Sequence, residues 1–309
     1  MTQISKDTLW KGIIEDLFDD FLHYFFPEWA AQTVDFSQKF VFLDKELDEI
    51  APKPQGNQKR YADKLVKVFT QTGQEQWVLV HVEVQGYADS LFAERMFTYF
   101  YRIKDRWQKD VLAIALLTDD NPDFHPKSYT YEYHQTRYHY EFATFKLLEK
   151  TERELNIAGN PFSVVMLAAH KALSQSNLTD EKQLVWKMDL VRSLKQAQYS
   201  GEKIRNILNF IRYYSKFKQV DTLALLDKQI QTTLNQRKPM GIEEAILQEV
   251  KEQAAKRAAK QAAKQAELQT KVKGIQMALK QNILSLEQIA ELFEVTLDFV
   301  KKVQSGELK

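Results

Sequence analysis

The apolar run Val111–Thr118, VLAIALLT, constrains the fold of this chain most strongly, because no charged residue interrupts it. A strand that is apolar on both faces must be covered on both faces, as in the parallel part of an α/β sheet. The polar segment Asp119–Pro122 follows at once and ends the strand. A second run, Trp77–Val84, is rich in valine and aromatic residues. The two runs therefore predict a sheet with a buried centre.

The elements around these runs predict a mixed α/β domain over residues 1–150. Tyr61–Phe69 has an alternating pattern and, with Gly73 in the turn, predicts an antiparallel hairpin with Trp77–Val84. Ala88–Trp107 carries apolar residues at helical spacing. The remaining predictions are a helix over Asp7–Phe26, a strand or bent segment at Lys39–Leu43, a loop over Asp48–Lys59, and a second hairpin of Tyr129–Tyr133 with Tyr138–Phe145.

From residue 151 onwards the pattern favours helices. They are predicted over Phe162–Leu173, Glu181–Gln198, Glu202–Lys216 and Val220–Thr233. An Ala-Ala-Lys repeat at residues 254–265 predicts an exposed basic helix. Ser285–Val303 predicts two short helices, with Ser285 and Thr296 as caps. We therefore divide the chain into a core at 1–150, a helical elaboration at 151–240, a basic Ala/Lys-rich helix at 241–280 and a small helical hairpin at 281–309.

Charge is distributed unevenly along the 309 residues. Residues 1–150 hold 18 basic and 24 acidic residues, a net charge of −6, whereas the remainder holds 25 and 18, a net charge of +7. The absence of cysteine excludes disulfides and thiolate chemistry. Acidic residues interrupt the apolar residues of the N-terminus, and the longest apolar stretch, near Asn156–Ala169, is too short for a bilayer. We expect a cytoplasmic protein with no membrane partner.

Acidic residues on the predicted hairpin are the main candidates for chemistry. Glu83 and Gln85 project to one face of their strand together with His81, and Asp63 stands on the partner strand. A bare carboxylate in a buried strand is costly, and a divalent ion would offset that cost. Mg²⁺ favours one or two carboxylates with water and phosphate oxygens. The spacing leaves open a simpler interpretation, in which these acids are solvated or form a salt bridge at the strand end.

The hairpin sequence RYADKLVKVFTQTGQEQWVLVHVEVQ resembles the core of the recombination-promoting nuclease and transposase-like family, within the PD-(D/E)xK nuclease superfamily. Other segments that resemble this family are DTLWKGIIEDLFDDFLHYFFPE, FAERMFTYFYRIKDRW with VLAIALLTDD, NPFSVVMLAAHKAL, WKMDLVRSL and LSLEQIAELFEV. The resemblance covers about residues 5 to 300 and is most specific within residues 60–120.

This resemblance implies a restriction-endonuclease-like mixed sheet flanked by helices, and a metal-dependent DNA endonuclease. It implies that Asp63 and Glu83 bind Mg²⁺ or Mn²⁺. Gln85 stands where the superfamily usually has lysine, and a neutral amide can only donate and accept hydrogen bonds. Ala62 replaces the proline that loosely precedes the first acid. The family is linked to recombination and mobile elements.

Further residues extend this candidate site. Many such nucleases add an acid from the first helix, for which Glu15 is the first candidate and Asp7 the second. Lys11 lies between them on the same face, where it either contacts a phosphate or pairs with one of these acids. The helix after the hairpin presents a second set at helical spacing, Arg95, Tyr99 and Arg102, as phosphate contacts. A solvated helix face is the alternative in both places. His81 is either a proton shuttle or a structural strand residue.

Three interpretations of function therefore remain open from the sequence, the third being a protein that self-associates through its C-terminal helices. The first is an Mg²⁺-dependent DNA endonuclease, and the second is a nuclease fold without catalysis that binds DNA or a protein partner. The basic helix either follows a DNA backbone or is a solvated linker. The two closing helices resemble the first half of a helix-turn-helix, or form a pairing module through which the chain self-associates as a homo-oligomer.

Overall fold

The computed structural model describes residues 4–50, 62–71, 77–175 and 178–234, together with residues 272, 274–279, 285–293 and 295–305. The chain divides into two compact units, one formed mainly by residues 3–243 and the other by residues 244–309. The basic helix predicted at 254–265 lies outside the described residues. The finer domain boundaries predicted from the sequence stay predictions.

A five-stranded mixed sheet forms the centre of the first unit. Its strands are β1 (Val41–Phe42), β2 (Ala62–Phe69), β3 (Trp77–Gln85), β4 (Val111–Leu117) and β7 (Ala143–Lys146), in the order β1-β2-β3-β4-β7. β1 to β3 are antiparallel neighbours, and β4 and β7 continue the sheet in parallel with β3. A separate two-stranded sheet pairs β5 (Ser128–Tyr133) with β6 (Thr136–Glu141). The predicted mixed α/β class is confirmed.

Helices surround this sheet. Those before residue 150 are α1 (Lys6–Asp16), α2 (Phe18–Phe25), α3 (Pro27–Thr33), α4 (Asp44–Ile50) and α5 (Phe92–Trp107). Those after it are α6 (Glu152–Leu155), α7 (Phe162–Ser174), α8 (Asp180–Gln196), α9 (Gly201–Tyr214) and α10 (Val220–Leu234). A 3₁₀ turn at Leu147–Glu149 joins β7 to α6. Within the described residues, no helix combines the length and the apolar character needed to span a bilayer.

The strand at Val111–Leu117 is covered on both faces, as its sequence predicts. Ile114 and Leu116 enter the larger apolar cluster, to which α1, α2 and α7 to α10 contribute. Ala115 and Leu117 face the opposite way and contact residues of α5. Each face of the sheet is therefore covered by helices.

Three predicted elements differ from the structure. The helix expected over Asp7–Phe26 is interrupted at Leu17, which ends α1 and begins α2 with non-helical backbone angles. The strand expected over Tyr138–Phe145 divides at Phe142, so that its two parts join different sheets. The expected loop from Asp48 begins inside α4, which continues to Ile50. Hydrophobic spacing locates these segments, but it does not specify where the backbone must turn.

The described part of the second unit includes two short helices and helical residues at 274–279, which share one apolar cluster. The two short helices are α11 (Leu286–Leu292) and α12 (Leu297–Ser305). The Ser285 hydroxyl accepts a hydrogen bond from the Gln288 amide, and the Gln288 side chain accepts one from the Ser285 amide. Thr296 caps the amide of Phe299 in the same way. Both predicted caps are confirmed.

Candidate active site

The register of β2 and β3 places the two predicted metal ligands opposite each other. Asp63 is the direct partner of Glu83, and Gln85 follows at the end of β3. Directly opposed positions in an antiparallel pair belong to the same face of the sheet. The backbone therefore supports the predicted pairing, whereas the Asp63 side chain lies outside the described residues.

Glu83 is a buried carboxylate that is ion-paired with α5. Its side chain is 2% exposed, and its Oε1 atom lies 3.2 Å from Nη2 and 3.3 Å from Nε of Arg95. The same guanidinium donates to Oε1 of Gln85 at 2.9 Å and to Oδ2 of Asp89 at 2.5 Å. One arginine thus joins three side chains, and we call Glu83, Gln85, Asp89 and Arg95 the arginine cluster.

Local structure fixes the other members of the arginine cluster. Asp89 precedes α5 and accepts a hydrogen bond from the amide of Leu91, so that one carboxylate both orders the start of the helix and binds Arg95. Gln85 is fully buried, and its Nε2 atom donates to the carbonyl of Tyr87 at 2.7 Å. Both polar ends of the Gln85 amide are therefore engaged, and its orientation is defined.

His81 lies on the same face, further from the end of β3. The ring is fully buried, its Nε2 atom is 3.8 Å from Oε2 of Glu83, and its centroid is 4.9 Å from that of Tyr99. Tyr99 is itself buried beside Leu65. Tyr99 therefore points into the protein, so that the row of Arg95, Tyr99 and Arg102 is not a solvated helix face at its centre.

Glu15 lies on the other side of the sheet. Its carboxylate contacts the ammonium of Lys64 at 2.7 Å, and Asp44 contacts the same ammonium at 2.6 Å. Lys64 is adjacent to Asp63 in sequence, and alternation along a strand directs neighbouring positions to opposite faces. The structure therefore brings Glu15 together with Lys64, and it does not bring Glu15 to the arginine cluster.

The two remaining predicted phosphate contacts already bind groups of the protein. Lys11 pairs with Asp7 at 3.5 Å along α1, in agreement with the ion pair that the sequence left open. Arg102 donates to the carbonyl of Ile50 at 2.7 Å. Neither side chain contacts the arginine cluster through a bond among the described residues.

A fully buried ion pair near the same end of the sheet was not predicted. Lys146 ends β7, and its ammonium lies 2.7 Å from Asp119, just beyond β4, and 2.8 Å from the carbonyl of Asn121. Both charged side chains are 0% exposed. Leu117 of β4 pairs with Gln85 of β3 on one side and with Lys146 of β7 on the other. These polar groups therefore lie together at the carboxyl ends of three parallel strands, where α/β proteins place ligands. The sequence feature that could have indicated this pair is the position of Asp119, directly after an apolar run.

The chemistry of the donor set fits a divalent metal ion. Within the arginine cluster two carboxylates oppose one guanidinium, so that negative charge is in excess. Mg²⁺ needs only one or two protein carboxylates when water and phosphate complete its shell. Among the described residues no group of three or more potential ligands is assembled. Since Arg95 engages Oε1 of Glu83, a metal ion would bind through Oε2 or replace the guanidinium.

Comparison of the chain with protein-family models, with curated proteins and with solved structures found no match.

Proposed function

We propose that this chain is a metal-dependent DNA endonuclease that hydrolyses phosphodiester bonds and serves recombination or the movement of mobile elements. The observation that carries the proposal is the pairing of Asp63 with the buried Glu83, two residues before Gln85 at the strand end. The restriction-endonuclease-like architecture is part of the same proposal. A mixed sheet with helices on both faces supports it.

In this proposal Asp63 and Glu83 hold Mg²⁺ or Mn²⁺, which would neutralise charge on the scissile phosphate and lower the pKa of a coordinated water. Arg95 restricts the Glu83 carboxylate to one orientation by contacts at 3.2 and 3.3 Å. Gln85 positions the attacking water or the phosphate by hydrogen bonding, after exchanging one of its present partners. An amide lacks the positive charge of the usual lysine, and Arg95 supplies a positive charge next to it.

The proposed substrate is DNA, whose backbone would be contacted by Lys11, Arg95 and Arg102. Lys11 and Arg102 would exchange protein partners for phosphate oxygens. Arg95 would first have to leave Glu83, and so we assign it a positioning role before DNA binds. Glu15 pairs with Lys64 and is not a third acid beside Glu83.

The second candidate is a nuclease fold that binds DNA or a protein partner without catalysis. The contact between Arg95 and Glu83 favours it, because a guanidinium on the carboxylate satisfies the charge that a metal ion would otherwise neutralise. Self-association through the C-terminal helices and DNA binding by the basic helix also remain proposals. The latter helix falls outside the described residues.

Plasmid cleavage separates the two candidates. Supercoiled plasmid is incubated with the purified chain and Mg²⁺ or Mn²⁺, beside Asp63→Asn and Glu83→Gln, which keep side-chain size and remove charge. The matched controls are Asp105→Asn and Glu94→Gln, at two exposed acids of α5. We expect metal-dependent cutting that each site variant lowers by about a hundredfold or more and that the controls retain.

The alternative outcomes are equally distinct. Cutting that survives in Glu83→Gln and in Asp63→Asn would refute the proposed site. Salt-sensitive DNA binding without cutting, measured by fluorescence anisotropy over a range of salt concentrations, would favour the second candidate. Circular dichroism of each variant verifies that lost activity does not reflect lost folding.

A further inference from the structure

A cavity of about 390 Å³ lies among helices α1, α7, α8 and α9. Ser5 and Lys6 line it at the beginning of α1, Gln183 and Trp186 contribute from α8, and Lys216 follows the end of α9. The volume falls within the range of small-molecule sites, about 300–1,000 Å³. The cavity therefore has room for a small ligand.

Both charged side chains that line this cavity are lysines. Lys6 and Lys216 are exposed and line it, and neither ammonium lies within 4.0 Å of a carboxylate among the described residues. Lys187 lies behind the wall, where its ammonium donates to the carbonyl of Ser215, a lining residue, at 2.6 Å. Partial desolvation of the ammonium and the nearby Lys216 lower the pKa of Lys6, and the carboxylate of Asp120 opposes this shift in part. An anion would relieve this repulsion.

The walls of the cavity are aromatic and neutral polar. Trp186, Tyr213 and Tyr214 supply ring surfaces, and the Lys6 ammonium lies 4.9 Å from the centroid of Tyr214. Gln183 is buried and donates to the hydroxyl of Ser215 at 2.6 Å, which fixes one polar edge. Aromatic surface binds a planar ring, whereas paired cations bind a phosphate group.

We propose that this cavity binds a mononucleotide-sized phosphate ester, with the phosphate between Lys6 and Lys216 and the planar ring against the aromatic wall. The lining residues are not members of the arginine cluster, and the proposal does not depend on nuclease activity. The lysines are binding residues and take no part in phosphodiester hydrolysis. The phosphate ester is either a free metabolite or the terminal nucleotide of a nucleic acid, since both present the same group.

Isothermal titration calorimetry of the full chain with AMP, without metal ions, tests the proposal. We expect binding that the double variant Lys6→Gln/Lys216→Gln weakens about tenfold or more. The matched control Lys195→Gln/Lys228→Gln removes the same charge at exposed lysines of α8 and α10, and should bind AMP as the unmodified chain does. Adenosine and inorganic phosphate should each bind at least about tenfold more weakly than AMP.

A single-stranded oligonucleotide with and without a 5′ phosphate distinguishes the two sources. Preference for the phosphorylated oligonucleotide over AMP assigns the site to a nucleic-acid end, and the reverse order assigns it to a free nucleotide. Absence of AMP and oligonucleotide binding, or binding that the lysine double variant leaves unchanged, would overturn the proposal. Inorganic phosphate that binds as tightly as AMP would overturn the role of the aromatic wall. Plasmid cleavage by the double variant is expected to be unchanged, which separates this test from that of the nuclease.

Discussion

Buried charges are stabilised differently in the sheet and in the helices that follow it. Around the sheet, Glu83 pairs with Arg95 and Lys146 pairs with Asp119. In the helical part, the fully buried Lys187 donates to two backbone carbonyls, those of Arg212 and Ser215. An opposite charge favours the ionised form, whereas neutral carbonyls compensate only part of the desolvation. Burial, with a smaller contribution from Arg212, accordingly lowers the pKa of Lys187 to about 7.

Under the proposed function, this contrast would separate charge that is kept for chemistry from charge that serves structure. The arginine cluster keeps both signs of charge at the end of β3, where a substrate phosphate and a metal ion would need them. Lys187 instead joins α8 to the end of α9 and loses its proton close to neutral pH. The predictions below test the contrast, beginning with the largest effect.

Removal of one partner from the buried pair of the sheet should have the largest effect on stability. Asp119→Ala leaves the Lys146 charge buried, and we expect the free energy of unfolding to fall by about 3–5 kcal/mol. Urea unfolding measures this change. Asp110→Ala is the matched control, because Asp110 precedes the same strand but is 89% exposed. A loss below about 1 kcal/mol for Asp119→Ala would show that the pair is unimportant to folding.

Replacement of Lys187 should change the pH dependence of stability. The pKa is about 7 in the folded chain, below the ordinary value of a lysine, so between these values the unfolded chain binds the additional proton. The free energy of unfolding should therefore rise with pH in this window, by up to about 1.4 kcal/mol per pH unit. Lys187→Met should lose this contribution.

Urea unfolding of both proteins from about pH 7.5 to about pH 9.5 gives the comparison, with a difference of about 2 kcal/mol developing across the range. Lys195→Met, at an exposed lysine of the same helix, is the control and should follow the unmodified chain. If the curves for Lys187→Met and the unmodified chain run parallel, the inferred pKa of Lys187 is wrong.

An exposed ion pair should have the smallest effect. Arg137 and Glu132 form such a pair in the β5–β6 hairpin, with side chains 67% and 56% exposed. Because water and salt screen this contact, Arg137→Gln should change the free energy of unfolding by less than about 1 kcal/mol. Thermal unfolding at low and high salt measures the effect. A loss comparable to that of Asp119→Ala would remove the distinction between buried and exposed pairs.

The sequence predicted the apolar framework better than the polar contacts. The bounds of the strand Val111–Leu117 were predicted to within one residue, because an uncharged apolar run of this length is typical of a strand buried on both faces. The opposition of Asp63 and Glu83 followed from the hairpin. Contacts between residues distant in sequence were not predicted. Lys146 contacts Asp119 only because β7 lies beside β4. The break at Phe142, which separates β7 from β6, was also not predicted. Spacing along one strand carries no information about such partners.

The roles of the arginine and of the first helix were also beyond the sequence. Arg95 was expected as a phosphate contact beside the site, with a solvated helix face as the alternative. Its three contacts within the protein depend on how α5 crosses the sheet. Glu15 was expected beside Glu83, but alternation in β2 places its partner Lys64 on the opposite face. Strand alternation alone predicts that Lys64 and Asp63, as neighbours in β2, belong to opposite faces.

Metal binding by Glu83 and Asp63 is the central claim, and direct Mn²⁺ titration tests it without requiring activity. Electron paramagnetic resonance reports free Mn²⁺, so binding lowers the signal in proportion to occupancy. We predict that the unmodified chain and Glu94→Gln bind Mn²⁺ alike, and that Glu83→Gln and Asp63→Asn each weaken binding by about tenfold or more. Equal binding by Glu83→Gln and Glu94→Gln, or no binding by the unmodified chain, would contradict the account.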